Sequence, residues 1–360
     1  MKRALLLLVV LAAVVAVAAF DVPSNAATVN GVGISRATLN SDLGVIQATP
    51  TYECYLAASL ALRSQNEAAL PAIQGQGIDK TVSTRFADYW LSQLVNDELI
   101  EQVATARHLR VSTADLADGR ADLVNSISTT LTAVAEASGQ SGVCAPDGSD
   151  ILAAVPPAFA ARLVRAQAAG DVVLADASGY GLGPGELASF YATHQSDFDT
   201  ICLSAIQTAT QAAAAADRAE IVGGTPFAQV AEATSTDAAS AANGGAIGCF
   251  APTDPAYGSV TQDVAGLAVG QVSAANSDQG NYVLLEITSR RTTSYAAAGS
   301  AVRQAVLAAG ATVADGELKT ITKGATVSID PRYGRWKGGS TIAVEPPRNP
   351  PLSALLDPQG

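Results

Sequence analysis

Apolar residues recur every three to four positions along several long stretches of this chain, the repeat of helices with one buried face. The repeat runs from Arg36 to about Ala48. It is stronger over Val82–Leu109, through Phe86, Trp90 and Leu94 and through Leu91, Val95, Leu99 and Val103. Ahead of the first helix, Val29 and Val32 flank Asn30-Gly31, a dipeptide suited to a tight turn, and Ser35 is placed to cap the helix. Ser112 and Asp115 have the spacing of a capping box and open a further helix through Leu123 and Ile127. Residues 27–180 therefore read as mainly helical, with loops near 73–80 and 138–150, where Gly, Gln and Ser gather.

The period changes after the break at Gly181–Gly185. A short helix over Glu186–Phe198 leads to a strand at Ile201–Gln207, then a helical run over Thr208–Val222 that stops at Gly223-Gly224. A second short helix from Pro226 to Ala233, a turn at Asn243-Gly244-Gly245 and an alternating strand at Tyr282–Ile287 complete an α+β unit over 199–290. A helix over Ser294–Ala311 and a strand-like segment at 325–330 follow. Residues 341–360 are rich in Pro, lack aromatics and are expected to be a disordered tail.

The ends, the charge and the cysteines narrow the setting. Lys2 and Arg3 precede an unbroken apolar run from Ala4 to Phe20, followed by small residues at Ser24-Asn25-Ala26; a second such site, Ala16-Val17-Ala18, lies inside the run. Residues 1–26 read as an export signal, with a retained membrane anchor through residues 4–20 as the alternative. Either places the remainder outside the cytoplasm, secreted or tethered to the outer face of the cytoplasmic membrane. Beyond residue 26, 19 basic stand against 32 acidic residues, a surface that repels phosphate backbones and argues against nucleic acid as a partner. Cys54, Cys144, Cys202 and Cys249 form an even set suited to disulfides in an exported chain. Of the three pairings open to them, Cys54–Cys144 with Cys202–Cys249 keeps each pair inside one unit. The two histidines, His108 and His194, lie far from any Cys, so no metal site is expected. The chain has no GxSxG, HExxH or GxxxxGK motif, and no organic cofactor is implied.

Within 199–290 several blocks occur in order: Gly224-Thr225-Pro226-Phe227, Ser235 with Asp237 and Ser240, Gly244-Gly245-Ala246-Ile247-Gly248-Cys249-Phe250, Leu267–Ser273, and Gly280 with Tyr282–Leu285. Together they resemble the parvulin-type peptidyl-prolyl isomerase domain of exported foldases of the SurA, PrsA and PpiD type. VNGVGIS before the helical half and VSIDPRYG near the C-terminus are similar to the flanks of such proteins. The resemblance implies an α+β fold. In it a small antiparallel sheet with surrounding helices is inserted, after a linker helix at 181–198, between the two parts of a mainly helical chaperone domain, 27–180 and 291–340.

The resemblance also implies a site. Parvulins rotate an X–Pro amide against a barrier of ~18–20 kcal/mol, by holding the twisted amide in an apolar pocket backed by polar groups. The two strand positions at which family members commonly carry histidine are Ala205 and Tyr282 here, and Ala238 follows the retained Asp237. Ser204, Asp237 and Tyr282 are the candidate polar cluster, and Ile247, Phe250, Ala256 and Val260 the candidate proline-binding residues. Taken by themselves, Asp237 equally reads as a helix cap and Tyr282 as a strand-edge residue. The implied function is a folding factor that binds unfolded or Pro-containing exported polypeptides, with isomerase turnover weak or lost. An envelope assembly protein with one fixed partner is the alternative.

Overall fold

The computed structural model describes residues 25–347, except 64–70, 76–80, 140–142, 146, 252–259, 261–262, 265, 279 and 338–343. Residues 1–24, Ala256 and most of the expected tail thus lie outside the described residues. The chain divides into two compact units, one made of both ends, up to Ala177 and from Gly310, and one from Ser178 to Ala309. The fold is α+β, with the sheet-bearing unit inserted in sequence between the two parts of a mainly helical one.

In the first unit β1 (Asn25–Val29) and β2 (Val32–Ser35) form a hairpin through Asn30-Gly31, both at positive φ (49° and 89°). Strand β7 (Val327–Ile329) pairs with the other edge of β1, joining the two ends of the chain in one sheet. Asn25 and Ala26, assigned on sequence to the export segment, belong to β1. Ala26 is fully buried and its carbonyl accepts the Asp330 N–H, continuing the pairing of β1 with β7. Cleavage after Ala26 would remove the first two residues of that strand.

Among the described residues six helices follow: α1 (Arg36–Ala48), α2 (Pro50–Arg63), α3 (Thr84–Ala106), α4 (Thr113–Ser138), α5 (Gly148–Ala154) and α6 (Pro157–Ala177). Ser35 caps α1 through the Thr38 N–H, and Ser112 and Asp115 form the reciprocal box that opens α4. The apolar stripe of α3, from Phe86 and Trp90 to Leu99, lies in one core with Leu39, Ile46, Tyr52 and Phe159. Trp90 stacks on Phe159 with centroids 6.1 Å apart. A disulfide joins Cys54 on α2 to Cys144 before α5.

The C-terminal part of this unit departs from expectation. β8 (Arg335–Trp336) pairs with β9 (Val344–Glu345), which falls inside the stretch expected to be disordered. Val344 is fully buried, and its N–H donates to the buried Ser92 hydroxyl of α3 at 3.1 Å. Glu345 pairs with both Arg335 and Lys337. Composition alone signalled a tail; one buried valine and one ion-paired glutamate anchor these two residues against it.

The second unit contains α7 (Pro184–Thr193) and a four-stranded antiparallel sheet in the order β4 (Ala246–Phe250), β3 (Thr200–Thr208), β6 (Asn281–Arg291), β5 (Asn276–Asp278). Helices α8 (Gln211–Val222) and α9 (Phe227–Thr234) cover one face, where Ala214, Phe227, Val230 and Ala231 meet Ile206 and Leu284. On the other face Ile201, Leu203, Leu285 and Ile287 pack with Phe250 and Val264. A short helix α10 (Ala238–Ala241) precedes the glycine turn. The long helix α11 (Tyr295–Gly324) extends well past the expected end at Ala311, and the boundary between units falls within it.

Candidate functional site

The glycine turn sets the geometry of the sheet edge. Gly245 has φ +83°, and a Cβ there would lie 2.6 Å from the Ala205 carbonyl oxygen and 3.2 Å from the Phe227 ring. Only a residue without a side chain lets the turn reach β3, where the Ala205 N–H donates to the Gly245 carbonyl at 2.8 Å. The next residues become edge strand β4, for which the sequence reading had no element. Its register places Cys249 opposite Cys202, and the two are joined as a disulfide.

The Leu267–Ser273 block is a second fastening. The Gly270 N–H donates to the Ile287 carbonyl and the Ser273 N–H to the Leu285 carbonyl, each at 2.8 Å. The Ser273 hydroxyl, buried, accepts the Leu285 N–H and donates to the Ala274 carbonyl. This motif therefore holds a segment along β6; its spacing is that of a clasp.

Alternation along β3 and β6 sorts the candidate residues by face. Ala205, Ile247, Val260 and Val283 are half-buried and pack against the Ile201–Leu285 side, forming an apolar rim around that cluster. Phe250, expected to contact substrate, is itself buried in the core beneath that rim, because β4 turns its side chain inward at the end of the strand. Ala256 lies outside the described residues. Tyr282 packs on the opposite face, with Ile206 and Leu284, so it does not face the methyl of Ala205. Ser204 is buried and pairs across the ladder with Glu286, four residues along β6 from Tyr282 and hence roughly 13 Å from it.

Asp237 caps α10. Its carboxylate accepts the Ala239 N–H and the Ser240 hydroxyl, the latter at 2.6 Å, and that hydroxyl bond holds its pKa below the usual carboxylate range. The loop before it is tied to β3, since the Thr236 N–H and hydroxyl both donate to the Gln207 carbonyl and the Ser235 hydroxyl accepts the Gln207 N–H. Ser204 and Tyr282 thus share a face of the sheet but stand four ladder positions apart, and the Asp237 carboxylate is taken up by its own helix cap. The polar group that sequence reasoning passed over is Glu286, facing Ser204, with its pKa raised by burial. An acid in the middle of the apolar strand Tyr282–Ile287 was the signal for it.

Among the described residues no group of His, Cys, Asp or Glu is arranged to hold a metal ion. No helix among them is long and apolar enough to cross a membrane.

Residues 202–289 match the family model of the PPIC-type peptidyl-prolyl isomerase (rotamase) domain. No curated protein matches the chain. Among solved structures, the peptidylprolyl isomerase PrsA from Bacillus anthracis is similar at 15% identity, over 64% of this chain and 96% of that one, with a TM-score of 0.33. PrsA from Bacillus cereus is similar at 14% identity over 72% and 88%, with a TM-score of 0.38. The parvulin domain of PpiD from E. coli is 25% identical over 27% of this chain and 92% of that domain, with a TM-score of 0.24. The family match covers the glycine turn, the clasp, strands β4 and β5 in full and all but two residues each of β3 and β6, and the chain therefore carries, over residues 202–289, a domain of the PPIC-type, or parvulin, peptidyl-prolyl isomerase family.

Proposed function

We propose that this protein is an extracytoplasmic folding factor that binds unfolded, proline-containing polypeptides on the apolar rim of its parvulin domain, with isomerase turnover weak or lost. The observation that carries this reading is the pairing of a retained apolar rim with a bare strand. Ala205, Ile247 and Val260 gather beside the core, but the strand position that resembles a family histidine presents a methyl group. A proline ring gains by burial against such a surface, at ~25 cal/mol per Å² of apolar area. Lowering the rotation barrier needs polar groups aimed at the twisted amide; the engagement of Asp237 as a helix cap and the packing of Tyr282 on the face away from Ala205 support weak turnover. Two disulfides support an oxidising compartment.

The test compares two rates on the oxidised full-length protein. Exchange between cis and trans X–Pro in short peptides is followed by NMR, and aggregation of a chemically unfolded protein by light scattering. Suppressed aggregation with exchange near the spontaneous rate is the expected result. Exchange far above that rate would restore the enzyme reading, and failure in both assays would favour an assembly protein with one fixed partner.

A further inference from the structure

The first unit contains a cleft of about 750 Å³ among α1, α2, α3 and α6, well apart in sequence from the parvulin domain. Its walls include four aromatic rings, those of Tyr55, Tyr89, Trp90 and Phe159. Five carboxylates also line it, Asp42, Asp97, Glu98, Glu101 and Asp171, against three arginines. Two of those arginines are spent on the lining itself: Arg165 is paired with Glu101, and Arg162 with the buried Asp42. The third, Arg63, donates to the Tyr89 hydroxyl at 3.2 Å.

The Arg162 site shows what this lining accepts. Its guanidinium carbon sits 5.3 Å from the centre of the Phe159 ring, while its charge meets Asp42, which also accepts the Trp90 indole N–H at 3.2 Å. A cation on an aromatic face with a carboxylate behind it is a favourable, partly dehydrated arrangement. The same lining holds a carboxylate that no arginine pairs with among the described residues. Asp97 has no hydrogen-bond donor among the described residues. Burial, and then the neighbouring charge of Glu101, push its carboxyl up to about 6. Such a group gains from a positive partner.

We infer that this cleft is a second client-binding site, one that receives a lysine or arginine side chain of an extended polypeptide, the aliphatic stem lying along the aromatic wall and the charge reaching Asp97 and Glu98. The inference rests on the folding-factor reading for its source of ligand. It adds a charge preference to it: a net charge of −12 draws basic segments toward the protein, and the cleft gives their side chains a place to dock.

The probe is a set of short proline-free peptides, identical except for a central Lys, Arg, norleucine or Glu, added to the oxidised full-length protein carrying Trp336→Phe. Trp90, which lines the cleft, is then the only tryptophan and reports binding by fluorescence. The Lys and Arg peptides are expected to bind at least about tenfold more tightly than the norleucine peptide, and the Glu peptide not at all. Asp97→Asn keeps the shape of the side chain and removes its charge; it should bring the Lys peptide to the norleucine level, while Asp97→Glu retains the preference, and Trp90 emission in the absence of peptide reports that each variant is folded. Equal binding of the Lys and norleucine peptides, or an unchanged preference in Asp97→Asn, would overturn the inference. Aggregation suppression by the unmodified protein reads the folding-factor proposal separately, so failure of one is distinguishable from failure of the other.

Discussion

Asp88 places a carboxylate inside the first unit with no hydrogen bond to hold it among the described residues. The residue is fully buried on α3, and among the described residues neither carboxylate oxygen has a hydrogen-bond partner. It lies one helical turn from Ser92, whose hydroxyl receives the Val344 N–H of the C-terminal strand. Burial raises its pKa from 3.8 to about 7, outweighing the nearby Arg85 guanidinium. Because the folded value is the higher one, folding binds a proton between the two. The contribution of this group to stability is complete below about pH 4 and is lost as pH rises through about 7. The slope is about 1.4 kcal/mol per pH unit, so about 3 kcal/mol disappears between pH 5 and pH 8. Asp88→Asn keeps the shape and stays neutral, and should flatten this dependence: close to wild type or slightly less stable at pH 5, more stable at pH 8. Urea unfolding followed by tryptophan fluorescence reads it directly, since both tryptophans, Trp90 and Trp336, belong to the first unit. The expected separation of midpoints at pH 8 is roughly 1–2 M. Identical pH slopes for wild type and variant would refute the assignment of this titration to Asp88.

Replacing Cys54 and Cys144 together by Ser opens a crosslink spanning 90 residues. The loop-entropy estimate is about 4–5 kcal/mol, and the same tryptophan-monitored unfolding should show a loss of at least about 2 kcal/mol; no loss would mean that the open chain is already constrained. Gly245→Ala forces a side chain into φ +83° and against the Ala205 carbonyl. It should cost the parvulin domain more than about 2 kcal/mol, seen as faster hydrogen exchange of the β3 amides with the tryptophan signal of the first unit unchanged. Unaltered β3 protection would sink that account of the turn.

Much of the fold was legible because its signals are local. The period of α1 and α3, the Ser35 cap, the Ser112–Asp115 box and the Asn30-Gly31 turn each depend on residues within one or two turns of chain. The family of residues 202–289 was legible for a related reason: glycines at 244, 245 and 270 occupy positions where backbone geometry admits little else. Other features were hidden because they depend on what the chain meets far away. The strand at Val344–Glu345 exists through Ser92 and Arg335, and nothing in its own proline-rich surroundings announces it. The extension of α11 past Ala311 depends on contacts such as Ile321 against Val103 and Val173.

The candidate site divides along the same line. The sequence by itself determined which residue types occupy the family positions: a methyl at 205, a phenol at 282, a carboxylate at 237 and an even set of four cysteines. Only the tertiary structure decided which of these share a surface. Strand alternation sends Ala205 and Tyr282 to opposite faces, the α10 cap engages Asp237, and strand register, which no local pattern encodes, sets Cys202 against Cys249 and Ser204 against Glu286. The physical reason is that chemistry at a site depends on distances of a few ångströms between residues tens of positions apart, and those distances are fixed by packing of the whole unit and not by the sequence around any one of them.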